Sequence, residues 1–99
     1  MTERRSWGTV KRGRKVSIAR RAGYRRAKEA FAIAERVRQA REGRGLTQAE
    51  LAARIGSTQP ALARLEAGGV TPSLDTLHRI AEALGLELVV DLRRARRSA

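Results

Sequence analysis

Two polar side chains near the middle of this sequence have the chemistry to recognise the edges of nucleic-acid bases. The amide of Gln59 can donate and accept hydrogen bonds in the pattern that adenine presents in a major groove. The guanidinium of Arg64 can bind either guanine or a phosphate. Pro60 has no N–H to donate and can at most touch a thymine methyl, while the small Ala63 permits close approach. The alternative is that Gln59 and Arg64 are ordinary solvated surface residues.

Two short helices joined by a tight turn are predicted to position these side chains. Thr47 is a good N-cap for the first helix, and Glu50 three residues later completes a capping box. Gly56 suits a left-handed turn, Thr58 can cap the second helix, and Pro60 is tolerated in its first turn. The apolar residues predicted to face inward are Leu51, Ala52, Ile55, Leu62 and Leu65. The polar residues of the second helix then face outward, which is the pattern of a helix-turn-helix with a recognition helix.

The segment LTQAELAARIGSTQPALARLEAG, residues 46–68, resembles the DNA-binding domain of lambdoid repressors and of the wider Xre/Cro group of bacterial regulators. The resemblance covers about residues 33–85 and implies an all-α, five-helix-type lambda-repressor-like domain that binds a double-stranded DNA operator. It also implies that Gln48 contacts a phosphate and braces the glutamine of the recognition helix, and that Arg41 pairs with Glu66. The predicted DNA-binding residues are Gln48, Thr58, Gln59, Pro60, Ala63 and Arg64. Ser57 departs from the family pattern, which usually has an apolar residue in the turn.

A long helix is predicted before this domain. Apolar residues at helical spacing predict a helix from about Ser17 to Glu42, with residues 1–15 irregular and Gly23 as a point where the helix could be interrupted or kinked. Gly43 and Gly45 are expected to end it. The sequence thus predicts that the helix-turn-helix domain is preceded by a partly helical extension, residues 1–32.

A further helix and a strand are predicted after the helix-turn-helix. Ser73 is expected to cap the helix, and Gly85 to end it. Residues 86–99 then form a third part of the chain, a strand followed by a basic tail. The strand has one apolar face, made of Leu86, Leu88, Val90 and Leu92. A lone strand is marginal in water, so this face is predicted to pair with its copy in a homodimer.

The net charge of +12 is concentrated at the two ends of the chain. Residues 1–28 hold eleven basic residues against one acid, Glu3, and the last seven residues hold four arginines. Residues 29–92, with seven arginines and nine acids, carry a net charge of −2. The ends suit sequence-independent contact with phosphates, and the alternative is that they are charged tails that keep the protein dissolved.

The composition excludes several other classes of function. The chain has no cysteine, which excludes disulfides and thiolate metal sites, and His78 is its single histidine, so no metal ligand is predicted. No nucleophile, base and orienting group can be assembled, so no catalytic residue, enzyme activity or cofactor is expected. No apolar run is long enough to span a membrane. The expected location is the cytoplasm, with the protein on the nucleoid when it is bound to DNA.

The N-terminal extension has more apolar residues than a solvated tail needs. Trp7, Ile18, Tyr24 and Phe31 are therefore predicted to contact a partner protein, and the alternative for the aromatic residues is packing along the long helix. Residues 63–92 resemble the end of antitoxins of the HigA kind, which neutralise a RelE/HigB-fold ribonuclease toxin and repress their own operon. This resemblance implies an antitoxin that is also a repressor. The alternatives are a stand-alone or phage-type Xre regulator without a toxin partner, and a non-regulatory nucleic-acid-binding or scaffold protein.

Overall fold

The part of the chain that the structure describes contains four α-helices. The computed structural model describes the backbone of residues 2–96 and the side chains of residues 19–96. The helices are α1 (Thr2–Gly43), α2 (Gln48–Arg54), α3 (Gln59–Glu66) and α4 (Leu74–Leu84). The all-α class is as predicted, but the count of five helices is wrong for the described residues. None of these helices is long and apolar enough to cross a membrane.

The helix α1 begins at Thr2 and runs for 42 residues. The prediction of irregular structure before Ser17 is therefore wrong over the described residues, and the helix also continues through Gly23. A glycine in a helix interior costs only about 1 kcal/mol relative to alanine, and no proline precedes Pro60 to stop the helix. At about 1.5 Å per residue, a helix of this length accounts for the longest dimension of the molecule, 65 Å.

The last third of α1 packs on the other helices. Its buried residues among the described side chains are Ala30, Ala34, Val37 and Arg41, which recur at helical spacing on one face. They meet a core whose fully buried side chains are Leu51 of α2, Leu62 of α3 and Leu84 of α4. Truncating such a leucine to alanine costs about 2–5 kcal/mol, so this small core fixes how the three short helices sit against α1.

The helix α4 has clear signals at both ends. Ser73 accepts a hydrogen bond from the Thr76 N–H, and Gly85 follows the helix in the left-handed conformation, with φ +66°. The N–H of Leu86 donates to the carbonyl of Ala81 at 2.8 Å, which satisfies one of the last free carbonyls of the helix. The helix predicted from Ser73 to Gly85 is therefore confirmed.

The strand predicted over residues 86–92 is not formed. Residues 86–96 contain neither helix nor strand in the structure. The physical reason is that a strand is defined by hydrogen bonds to a second strand, and the described part of this single chain contains none. Leu88 is half-buried, while Leu86, Val90 and Leu92 are exposed. The four residues therefore do not form the single apolar face that was predicted.

Candidate nucleic-acid interface

The helix α2 is held at its start by the predicted capping box. The N–H of Glu50 donates to Thr47 Oγ1 at 3.1 Å, and the N–H of Thr47 donates to Glu50 Oε1 at 3.2 Å. These bonds satisfy two of the free donors at the helix start. The hydrogen bonds from the backbone and hydroxyl of Thr47 also lower the pKa of the Glu50 carboxyl, because they stabilise its charged form. The capping box thereby fixes where α2 begins and where Gln48 lies.

The turn between α2 and α3 follows the predicted chemistry. Gly56 adopts a φ of +68°, which a residue with a Cβ rarely adopts. The N–H of Ser57 donates to the carbonyl of Ala52 at 2.8 Å and closes the turn. Ser57 is exposed, so its polar side chain at a usually apolar position buries no hydroxyl. The departure from the family pattern therefore leaves the turn intact.

The helix α3 presents the predicted outward surface. Thr58 caps it by accepting a hydrogen bond from the N–H of Ala61 at 3.3 Å. Leu62 and Leu65 are buried, which orients the opposite side of the helix towards solvent. Of the six predicted DNA-binding residues, Thr58, Gln59, Pro60 and Arg64 are exposed, while Gln48 and Ala63 are half-buried. Residues from two helices are thus brought to one surface.

A chain of hydrogen bonds connects the tip of α3 to the end of α1. Gln59 Nε2 donates to Gln48 Oε1 at 2.8 Å, and Gln48 Nε2 donates to Glu66 Oε1 at 3.2 Å. Glu66 in turn accepts two bonds from Arg41, one from Nε to Oε2 at 2.7 Å and one from Nη2 to Oε1 at 2.9 Å. Arg41 Nη1 also donates to the carbonyl of Leu46 at 2.7 Å. The contact between Gln48 and Gln59 and the pairing of Arg41 with Glu66, both implied by the resemblance, are confirmed.

The sequence interpretation missed that these two contacts form one network through Gln48. The link was not predicted because nothing in the spacing of Arg41 and Glu66 shows that Gln48 reaches the same carboxylate. The link could have been expected from the chemistry of the carboxylate: a buried acid with one partner keeps free acceptor sites, which need further donors. Glu66 is 3% exposed and Arg41 11% exposed in their side chains. Because it is buried, this network has a larger effect on the free energy of unfolding than a surface ion pair would have.

Glu66 stabilises the charged form of Arg41. The hydrogen bond to Glu66 raises the pKa of the Arg41 guanidinium above its ordinary value, although burial acts in the opposite direction. The end of α1, the start of α2 and the whole length of α3 are tied together by this one ion pair and its neighbours. The arrangement can therefore hold Gln59 rigidly at an exposed edge, as base recognition requires.

The predicted protein-contact residues lie on α1. Tyr24 is 71% exposed and Phe31 is 60% exposed, so neither is absorbed into the core. One side of the Phe31 ring covers Gly68, where an added Cβ would come within 2.6 Å of the ring. Ile18 and Trp7 lie outside the residues whose side chains the structure describes.

The predicted dimer-contact residues lie in the segment that follows α4. Leu86, Val90 and Leu92 are exposed, and so is Val89, which the alternation had put on the opposite face. Only Leu88 of the predicted set is half-buried. The segment therefore offers apolar surface, though not the single face that was predicted.

Comparison with known proteins agrees with this geometry. The helix-turn-helix family model HTH_3 matches residues 37–90. An uncharacterized HTH-type transcriptional regulator of Methanothermobacter thermautotrophicus is 48% identical over 56 residues, which are 57% of this chain and 81% of that protein. The HTH-type transcriptional regulator y4dL of Sinorhizobium fredii is 41% identical over 58 residues, which are 59% of this chain and 30% of that protein.

A solved structure shares the fold. The crystal structure of the restriction-modification controller protein C.AhdI from Aeromonas hydrophila matches with a TM-score of 0.60 and 28% identity, covering 62% of this chain and 88% of that chain. The match to the family model spans more than half of the chain and contains α2, the turn and α3. The chain therefore belongs to the HTH_3 family of helix-turn-helix proteins.

Proposed function

We propose that the chain is a sequence-specific DNA-binding transcriptional repressor that reads base pairs with α3. The single observation that carries this proposal is the hydrogen bond from Gln59 to Gln48, at the exposed start of a helix whose opposite side is buried. It joins the first residue of α2 to the first residue of α3. A side chain braced in this way has lost its conformational freedom before it meets DNA, which lowers the entropy cost of binding.

The amide of Gln59 keeps the hydrogen-bonding groups that adenine recognition requires. Its Nε2 has two N–H groups, and one of them is donated to Gln48. The second N–H and the amide oxygen remain for a base, which is the pair of groups that binds N7 and the N6 amino group of adenine. The bracing bond therefore selects the orientation of the amide without consuming the groups that read the base.

The other exposed residues of the interface have supporting roles in this proposal. Arg64 binds guanine or a phosphate, Pro60 contacts a thymine methyl, and the small Ala63 lets the helix approach closely. Gln48 and Thr58, at the starts of their helices, bind phosphates that fix the position of α3 in the major groove.

We further infer that two copies bind an inverted repeat with half-sites about one helical turn apart. The exposed apolar residues after α4 support this assembly, because a second copy would cover them: Leu86, Val89, Val90 and Leu92.

A second candidate function is that of an antitoxin that also represses its operon. The observation that favours it is the exposure of Tyr24 and Phe31 on α1, since large aromatic residues anchor many protein interfaces. Its partner would be a toxin of the RelE/HigB fold. Co-expression with the product of the adjacent gene tests it, because Tyr24→Ala should then lose the toxin and keep its affinity for DNA. A Tyr24→Ala chain that still co-purifies with that product would contradict this use of α1.

The repressor proposal is tested by selecting binding sites from random duplex DNA with the full chain. The expected result is an inverted repeat, protected in footprinting at both half-sites. Arg64→Ala should weaken binding to the selected site, whereas Arg79→Ala, the matched loss of an exposed arginine on α4, should not. Enrichment of no sequence, or equal losses for the two arginine variants, would contradict the proposal.

A further inference from the structure

The N-terminal part of α1, residues 2–29, projects away from the helix-turn-helix domain and is called the arm below. The first buried residue of α1 among the described side chains is Ala30. Residues 19–29 are all exposed except Ala22, which is half-buried. The 28 residues of the arm form a helix about 42 Å long, at about 1.5 Å per residue. The arm residues whose side chains are described, 19–29, thus contribute no buried residue to the domain.

The arm has a high positive charge. Its sequence has eleven lysines and arginines and two acids, Glu3 and Glu29. At about 100° per residue, the cations of its described half occupy several sides of the helix rather than one face: Arg20, Arg21, Arg25, Arg26 and Lys28. An arm with cations on several sides can contact an anionic surface without a defined rotation about its axis.

The arm is not neutralised by the rest of the protein. Among the side chains of residues 19–96, none of the five cations between Arg20 and Lys28 forms an ion pair with an acid. Arg21 and Arg25 lie four residues apart and Arg25 and Lys28 three apart, spacings at which like charges on a helix repel each other. Contact with an external polyanion would therefore relieve this repulsion.

We propose that the arm binds the phosphates of the duplex that flanks the base pairs read by α3. This proposal rests on the proposed DNA-binding function and adds a second, sequence-independent contact to it. The arm is continuous with the last turn of α1, where Arg41 is bonded to Glu66 and through it to Gln48 and Gln59. When α3 occupies a site, the flanking DNA is tethered to the chain that carries the arm, so its phosphates are present at a high effective concentration. Duplex DNA carries about one charge per 1.7 Å, a dense match for the arm.

The proposal has a measurable consequence for affinity. Each phosphate contact releases counterions and adds about 0.9 to the slope of log affinity against log salt concentration. The arm should therefore make binding tighter and more dependent on salt when flanking DNA is present. It should leave the preference between operator and mutated operator unchanged, because phosphates carry no sequence information.

The test compares two duplexes, the selected site alone and the same site with about two helical turns of flanking DNA on each side. The full chain is compared with a variant carrying Arg20→Gln, Arg21→Gln, Arg25→Gln and Arg26→Gln, since glutamine keeps helix propensity while removing charge. The matched control removes the same number of charges from the other end of the chain: Arg93→Gln, Arg94→Gln, Arg96→Gln and Arg97→Gln. Trp7, the single tryptophan, gives a fluorescence signal from the arm alone.

The wild-type chain should bind the flanked duplex more tightly, with a salt slope larger by up to about 3–4 than that of the arm variant, and the tail variant should retain most of this gain. Trp7 fluorescence should change with the flanked duplex and not with the short one. Equal binding of both duplexes by the wild-type chain would overturn the arm proposal and leave the proposed function intact. An arm variant that keeps the full gain would also overturn it, because the gain would then come from another part of the chain. Affinity that depends on the flanks but not on the selected sequence would instead contradict the proposed function.

Discussion

Replacing Glu66 by glutamine tests how much the fold depends on the network behind the interface. The change removes the charge opposite Arg41 and leaves the size of the side chain almost unaltered. Arg41 would then remain buried as a cation without its counter-charge, because its side chain is only 11% exposed and a guanidinium stays protonated in proteins. Breaking a buried ion pair by removing one partner costs about 3–5 kcal/mol. We expect the lower end, about 3 kcal/mol, since a glutamine oxygen can still accept one hydrogen bond.

This loss is large relative to the stability of so small a domain. At 0.05–0.15 kcal/mol per residue, a helix-turn-helix domain of roughly 55 residues has a free energy of unfolding of about 3–8 kcal/mol. Urea unfolding followed by circular dichroism should therefore show a midpoint moved far towards zero denaturant. The matched control is Glu42→Gln, which removes an acid that lies 3.9 Å from Arg41 but is 61% exposed. That surface pair should contribute only about 0–1 kcal/mol.

Comparing Glu66→Gln with Glu42→Gln shows whether burial strengthens the interaction of Arg41 with its acidic partner. A third variant, Arg41→Met combined with Glu66→Leu, should recover much of the stability, because an apolar pair can replace a buried ion pair without leaving a charge unpaired. Equal losses for Glu66→Gln and Glu42→Gln would contradict this expectation, since they would show that burial adds nothing to the ion pair of Arg41 and Glu66.

Three further outcomes are expected from other parts of the structure. The pKa of Glu50 is lower in the folded chain than its ordinary value of 4.5, so the stabilising effect of its carboxylate is present above about pH 4.5 and is lost as the pH falls through the folded pKa. Glu50→Gln should therefore flatten the dependence of the urea midpoint on pH in that acidic range. An unchanged dependence would contradict this expectation. Gly85→Ala should cost about 1–2 kcal/mol in urea unfolding, because φ is +66° and the new Cβ would meet the side chain of Arg44, whereas a neutral result would show that the turn relaxes freely. Val90→Lys should give a monomer in sedimentation while Glu87→Lys, a change at a charged exposed residue of the same segment, should not, and a dimeric Val90→Lys chain would place the dimer contact elsewhere.

The parts of the fold that the sequence predicted correctly are those determined within a few residues. The capping box of Thr47 and Glu50, the left-handed Gly56 and the cap at Thr58 each depend on neighbours three or four positions away. Such signals are readable because their energies arise locally. They located α2, the turn and α3, and with them the exposed surface of the candidate interface.

The parts that the sequence did not predict depend on distant or external partners. The early start of α1 was not predicted because two glycines and many charges were interpreted as helix-breaking. Each glycine destabilises the helix only slightly, however, and no proline lies within α1. The strand over residues 86–92 depends on a second strand, and residues 2–96 of this chain form none. The link from Gln48 to Glu66 joins residues 18 positions apart, and only the packing of α1, α2 and α3 brings them together.

The most direct test of the central claim is the affinity of Gln59→Ala for the selected site and for versions of that site with each base pair changed. We expect a loss of about 1–3 kcal/mol at one adenine-containing pair in each half-site, no further loss when that pair is changed, and little effect on random DNA. Gln39→Ala, which removes an exposed amide from α1, should leave every one of these affinities unchanged. Equal weakening of operator and random DNA by Gln59→Ala would contradict the claim that the braced glutamine of α3 reads a base.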